Sequence, residues 1–294
     1  MSELPPPTVD PQAAARWQQH RLEESPWLHE EVARRMQERL DFIKVQPDSW
    51  IHWQAISGGV QAQTLLARRY PKASCTVLEL AHSNLQKAQA AFAPSRWRPQ
   101  AWLQPRAEVV AQVVSSAQML WCNMQLHMSA QPRSLMQRWH EALQVDGFLM
   151  FSCLGPDTLM ELRALYRTLG WPAPTHAFTD MHDWGDMLLE AGFAEPVMDQ
   201  ERITLSFETP ERLLQELRGL GRNLHPGRFG GLRGRRWHER LLEALRQQPL
   251  QLSFEVIYGH AFKPAPRLAV GAQSTITLAD MRSALKQGRG GDHV

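Results

Sequence analysis

A chain of 294 residues, with 32 basic against 30 acidic side chains, can bury a sizeable core and has no global polyelectrolyte character. Its three cysteines, Cys75, Cys122 and Cys153, lie far apart with no Cys-x-x-Cys spacing, which argues for buried thiols in a reducing cytosol over a disulfide frame. The longest apolar run, Phe148 to Leu154, is interrupted by Ser152 and too short to span a bilayer, and the polar, Pro-rich start holds no secretory h-region. A cytoplasmic globular protein is expected.

Residues 1–11 (MSELPPPTVDP) read as extended or disordered, since their prolines oppose helix formation. Residues 12–46 read as helices broken at Ser25-Pro26, the second with one apolar stripe of Leu28, Val32, Met36, Leu40 and Ile43. A main domain is expected over 47–267, with a tail at 268–294 whose one helix-like piece is Leu278 to Leu285.

The main domain opens on an apolar run, Trp50 to Ile56, a turn at Ser57-Gly58-Gly59, and a helix-like stretch to Tyr70 stopped by Pro71. A second run, Cys75 to Leu80, carries Glu79 near its end. Strand, Gly turn, helix, strand and acid is the layout of a nucleotide-binding βαβ unit, in which the acid can grip ribose hydroxyls. Further on come a helix at Ser83–Ala93, a Pro-rich connector over 94–106, and strands at Val109–Val114 and Gln118–Asn123. A helix at Ser134–Leu143, a turn at Asp146-Gly147, a strand at Phe148–Cys153 and a helix at Thr158–Leu169 complete this part. The alternation predicts an α/β fold with a doubly wound, mostly parallel sheet. Ligands in such sheets bind outside the carboxyl ends of the strands, here Ser57–Val60, Glu79–Ala81, Asn123–His127 and Cys153–Gly155.

Beyond Gly170 a helix is expected at Asp183–Ala191, then two strands, Ile203–Phe207 and Leu252–Tyr258, flanking a helical cap over 208–248. From Arg202 to Arg246 there are ten Arg against five Glu, with no Lys or Asp. That excess is either a solvated helical surface or a docking face for an acidic partner. Nucleic acid fits less well, because aromatic interleaving is limited to Phe229 and Trp237. No His-Glu-x-x-His pair, tight Cys/His cluster, Gly-x-Ser-x-Gly elbow or Walker loop occurs, so no metal site is expected.

The runs QMLWCNMQLHM and LQVDGFLMFSCLGPDTLMELR resemble the later half of class I S-adenosylmethionine-dependent methyltransferases. More narrowly, FTDMHDWGDMLLEAGFAEPVMDQERITL, LLQELRGLGRNLHPGR and VIYGHAFKP resemble the malonyl-acyl-carrier-protein O-methyltransferases of biotin synthesis, to which mitochondrial complex I assembly factors are related. The resemblance covers roughly residues 10 to 265. It implies a seven-stranded Rossmann-like sheet with the cap inserted before the last strand, S-adenosyl-L-methionine as cofactor, and an acidic acyl carrier protein or another acidic protein at the Arg-rich cap.

Carried over by position, the family's Asp-x-Gly-x-Gly-x-Gly run falls on Gln54 to Val60, where only Gly58 matches in register. Ile56 and Val60 put branched side chains where backbone should meet cofactor. The family's acid opening the fourth strand falls on Gln118, a mismatch, and its N-terminal aromatic near substrate corresponds to Trp17. The resemblance assigns cofactor binding to Ser57, Gly58, Gly59, Glu79, Leu80 and Asn123, with the Ser57–Gly59 turn supplying backbone donors to the methionine carboxylate. Asn123, His127, Arg218 and Arg228 are the expected catalytic residues, the arginines or a histidine orienting the substrate carboxylate. His182 near the sheet edge is a further candidate, or simply caps the following helix. Two readings stay open: O-methylation of malonyl-acyl carrier protein, or a methyltransferase fold that lost its cofactor and kept its cap for binding a protein.

Overall fold

The computed structural model describes residues 9–19, 24–92, 107–113 and 115–266. The chain up to Pro264 forms one compact unit, which contains the whole sheet and the helices around it. The expected extended start at 1–8, the connector over 94–106 and the helix at 278–285 lie outside the described residues.

Two helices come first, α1 (Pro11–Gln18) and α2 (Trp27–Arg39). Pro11, expected to oppose helix, instead opens α1, because at the first helical position its missing N–H costs nothing. Asp10 caps that turn by accepting from the amides of Gln12 and Ala13. The apolar stripe of α2 is buried, including Val32 and Met36.

The first sheet segment comprises β1 (Ser49–Trp53), a single turn α3 (Ala55–Gly58), α4 (Gln61–Arg69), β2 (Ser74–Leu78), α5 (His82–Phe92) and β3 (Ala107–Val110). Next come β4 (Ala117–Cys122), α6 (Pro132–Ala142), β5 (Leu143–Leu154), α7 (Met160–Thr168) and α8 (Met181–Glu190). The unit closes with β6 (Ala194–Ser206), the cap helices α9 (Pro210–Leu220) and α10 (Arg235–Arg246), and β7 (Gln251–Phe262).

The seven strands lie in the order β3-β2-β1-β4-β5-β7-β6. The first five are parallel, and β7 inserts antiparallel between β5 and β6. Alternation in the strands divides the core: Trp50 and Trp121 face α2, while Ile51, Trp53, Leu120 and Phe151 face α6 and α8. The strand order reverses between β1 and β4, so the crevice for a ligand opens at their carboxyl ends.

Two expectations change here. Asp146-Gly147 is no turn between elements but a kink inside β5, with Asp146 at φ +64° and its N–H bonded to the Lys263 carbonyl. β6 runs thirteen residues rather than five, its first half hidden in the sequence by charged side chains. Among the described residues no helix is long and apolar enough to cross a membrane.

Gly259 of β7 lies against the Phe151 ring, where an added Cβ would come within 2.4 Å of it. Gly259→Ala is expected to destabilise the fold by about 1–3 kcal/mol, the usual cost of overpacking. A lower urea midpoint at unchanged slope would show it.

Candidate active site at the carboxyl edge of the sheet

After Trp53 the backbone turns through Gln54 in the left-handed region (φ +54°) and closes α3. The amides of Gly58 and Gly59 donate to the carbonyls of Gln54 and Ala55. Those of Val60 and Gln61 donate to the Glu30 carboxylate of α2, at 2.8 and 3.0 Å. This corrects the expectation that the Ser57–Gly59 turn offers backbone donors to a cofactor: the amides of Gly58 and Gly59 are consumed within α3. Of the two branched residues in this run, Ile56 is buried in the core and Val60 is partly buried against it, and neither lines the cleft described below. Gly58 is required for another reason, since a Cβ there would sit 2.9 Å from the Asn123 carbonyl oxygen.

The side chain of Asn123 is buried and bonded through both its nitrogen and its oxygen. Its amide nitrogen donates to the carbonyls of His29 (2.8 Å) and Gly58, and its oxygen accepts from the Ser152 hydroxyl at 2.6 Å. His29 Nδ1–H donates to the Ser57 carbonyl at 2.7 Å, and burial holds that imidazole neutral, with its pKa lowered to about 4. With both amide hydrogens donated inside the protein, the Asn123 side chain has no N–H left for cofactor or substrate, and it lines neither cavity, unlike the roles expected of it. It positions the loop that does face the cleft.

That cleft, of about 330 Å³, is lined by Trp53, Gln54, Ser57, Leu80 and Asn84 on one side and by Gln125 and Met128 on the other. Ala14, Trp17 and other residues of α1 complete its wall. Glu79 stands beside Leu80 at the end of β2. One carboxylate oxygen accepts from the Ile56 amide at 2.7 Å; the other is buried without a partner. Burial pushes this carboxyl up from 4.5 to about 7, against the bond from Ile56.

A second cavity, of about 310 Å³, lies between the β4 and β5 loops, α7 and the cap. Its wall is mostly apolar, with Leu154, Leu162, Tyr166, Leu217 and Leu241, and it also holds His127, Arg218 and Arg222. Met128 lines both cavities. His127 Nδ1 accepts from the Leu154 amide at 3.3 Å, which places its proton on Nε2, and burial keeps it neutral. Neither Arg218 nor Arg222 forms an ion pair among the described residues. Arg222 donates to the Arg218 and Gly221 carbonyls and lies 5.6 Å from the Trp17 ring.

Arg228, expected to orient substrate, is committed elsewhere. Its guanidinium pairs with Asp10 at 2.6 Å and lines neither cavity. The pairing lowers the Asp10 pKa and ties α1 to the cap. His182 is exposed and lies in the first turn of α8, where Asp180 is the cap and accepts from it, so His182 lines neither cavity and does not itself cap the helix. Glu30, His29 and Arg222 were missed from the sequence: the first two sit on a helix whose pattern reads only as core packing, and Arg222 is one of many in the cap.

The strand order and the flanking helices are those of the class I methyltransferase fold. The fold matches a crystal structure described as that of a methyltransferase from Bacillus halodurans, with a TM-score of 0.53 at 13% identity over 80% of this chain and all of that one. It also matches the YcgJ protein of Bacillus subtilis, with a TM-score of 0.52 at 11% identity over 78% and 98% of the two chains. No family model matches the chain. It is 39% identical over 253 residues to the malonyl-[acyl-carrier protein] O-methyltransferase of Gallionella capsiferriformans, covering 82% of this chain and 86% of that protein. It is 38% identical to the Laribacter hongkongensis protein of the same name, covering 82% and 84%. The chain belongs to the malonyl-acyl-carrier-protein O-methyltransferase family.

Asn123→Ala would leave two buried carbonyls and one hydroxyl without their partner. At about 1–3 kcal/mol for a buried group left unsatisfied, a loss of at least ~2 kcal/mol is expected in chemical denaturation.

Proposed function

We propose that the protein transfers a methyl group from S-adenosyl-L-methionine to the free carboxylate of malonyl-acyl carrier protein, a step in biotin precursor synthesis. One observation carries this reading. Two guanidinium groups, Arg218 and Arg222, without carboxylate partners among the described residues, line an apolar cavity that adjoins the nucleotide-type cleft at Met128. An acyl chain ending in a carboxylate matches that wall in both polarity and charge.

The cleft residues fit the cofactor. Trp53 and Leu80 offer apolar surface in the cleft, and the unpartnered oxygen of Glu79, buried directly before Leu80 in sequence, can accept from a ribose hydroxyl that reaches past it. S-adenosyl-L-methionine supplies a methyl on a cationic sulfur that leaves as a neutral thioether. The malonyl carboxylate is ionised at neutral pH, with a pKa of about 4, so its oxygen forms the new bond to carbon without giving up a proton. What this chain contributes is orientation: Arg218 and Arg222 hold the carboxylate, Met128 stands between the two sites, and packed walls exclude water. His127, being neutral, adds no charge to compete for the carboxylate.

The acyl carrier protein docks on the cap. Five of the ten arginines from 202 to 246 are paired with carboxylates, which leaves the rest to set a positive field for an acidic partner. Membership of a methyltransferase family favours the enzyme over a cofactor-free binding protein.

Calorimetric titration with S-adenosyl-L-methionine, followed by mass analysis of malonyl-acyl carrier protein, tests the proposal. Micromolar binding, weakened at least tenfold by Glu79→Ala, and a gain of one methyl group are expected. No heat up to millimolar ligand with folded protein would leave only the binding-protein reading.

A pH dependence arises from Glu79. Its folded pKa lies above the unfolded value, so the stability it contributes is present below 4.5 and is lost as pH rises through about 7. Ribose hydroxyls favour the ionised form, so cofactor binding releases a proton. Affinity is expected to strengthen from about pH 5 to about pH 8, by up to tenfold per unit, and Glu79→Gln to flatten the curve.

A further inference from the structure

Beside the apolar cavity, where the cap begins α10, three aromatic rings surround one guanidinium. The Arg233 guanidinium carbon lies 4.4 Å from the centre of the Phe229 ring, 4.7 Å from that of Trp237 and 5.6 Å from that of Trp171. Arg240 lies 5.7 Å from Trp171, and the two indoles are 5.3 Å apart. Neither arginine forms an ion pair among the described residues, whereas Arg235 and Arg246 of the same helix do. Ring faces hold a guanidinium in place while leaving its N–H edge free, which suits bidentate capture of an anion. The indole N–H of Trp237 is also buried without an acceptor.

The cluster is continuous with the cavity. Trp237 lines it, as does Tyr166, whose ring meets Trp171 edge-on at 5.3 Å. Two cationic stations are thus linked to one apolar cavity, Arg218 with Arg222 in its lining and Arg233 with Arg240 behind the rings of Trp237 and Trp171 at its side. A ligand matching both has an anion at each end of a slender uncharged chain.

Building on the methyl-transfer reading, we infer that Arg233 and Arg240 form a subsite for the phosphodiester at the root of the carrier protein's phosphopantetheine arm, while Arg218 and Arg222 take the acyl carboxylate at its tip. The cap then recognises the prosthetic group itself, beyond any general attraction for an acidic protein.

Two small probes that differ only in the phosphate, malonyl-phosphopantetheine and malonyl-pantetheine, test the subsite by calorimetry. The wild-type protein is expected to bind the phosphorylated probe at least about tenfold more tightly, as a charge-assisted bidentate contact implies. Arg233→Gln with Arg240→Gln should abolish that preference without changing affinity for malonyl-pantetheine, S-adenosyl-L-methionine or the thermal midpoint. Arg236→Gln removes a charge from the same helix at a side chain that has neither ring nor carboxylate partner among the described residues, and should keep the preference. Equal binding of both probes by wild type, or an equal loss in the Arg236 variant, would overturn the subsite and leave the methyl-transfer reading standing. Binding of neither probe by protein that binds cofactor would sink both.

Discussion

The side-chain amide of Asn123 joins four segments where the strand order of the sheet reverses. It reaches α2 through the His29 carbonyl, the α3 turn through Gly58, β5 through Ser152, and stands on the end of β4 itself. Asn123 and Ser152 are fully buried, so each of these bonds would be expensive to leave unmade, and together they fix the segments around the cleft. Gly58 belongs to the same arrangement, because only a residue without a Cβ lets the α3 turn approach the Asn123 carbonyl so closely.

That constraint explains the treatment of the eroded glycine run. A glycine-rich loop ordinarily leaves its amides for a ligand, but here two carboxylates of the protein take them: Glu30 at Val60 and Gln61, and Glu79 at Ile56. The branched side chains of Ile56 and Val60 lie in or against the core and line neither cavity. The turn is thus bonded to α2 and β2 through carboxylates of the protein itself, and the second Glu79 oxygen is left without a partner.

Much of the fold could be read from the chain because parallel strands buried on both faces leave continuous apolar runs, as in Trp50–Trp53 and Phe148–Leu154. β6 escaped for the opposite reason. Its Asp199 and Glu201 read as loop polarity, yet they pair with Arg39 and Arg35 of α2, so their charges serve an interface. The site was legible in outline, with Glu79, Leu80, Ser57, His127 and Arg218 falling at the sheet edge or cavity wall. What could not be read was commitment. Nothing local distinguishes Arg228, bound to an aspartate 218 positions away, from Arg222, which lines the cavity.

The cap and α1 bring the two cavities under one set of contacts. Asp10 bonds Arg228 and the Leu224 carbonyl, and Val9, Ala14, Met128 and Leu224 bury a small cluster of their own. Through these contacts α1, in the wall of the cleft, rests on the cap, in the wall of the apolar cavity. Arg222 touches both, lying over the Trp17 ring while lining the cavity. Its charge is disfavoured there by burial and by the neighbouring Arg218, so its pKa is lowered. The guanidinium that lines one cavity is thus also a packing contact of the helix that lines the other.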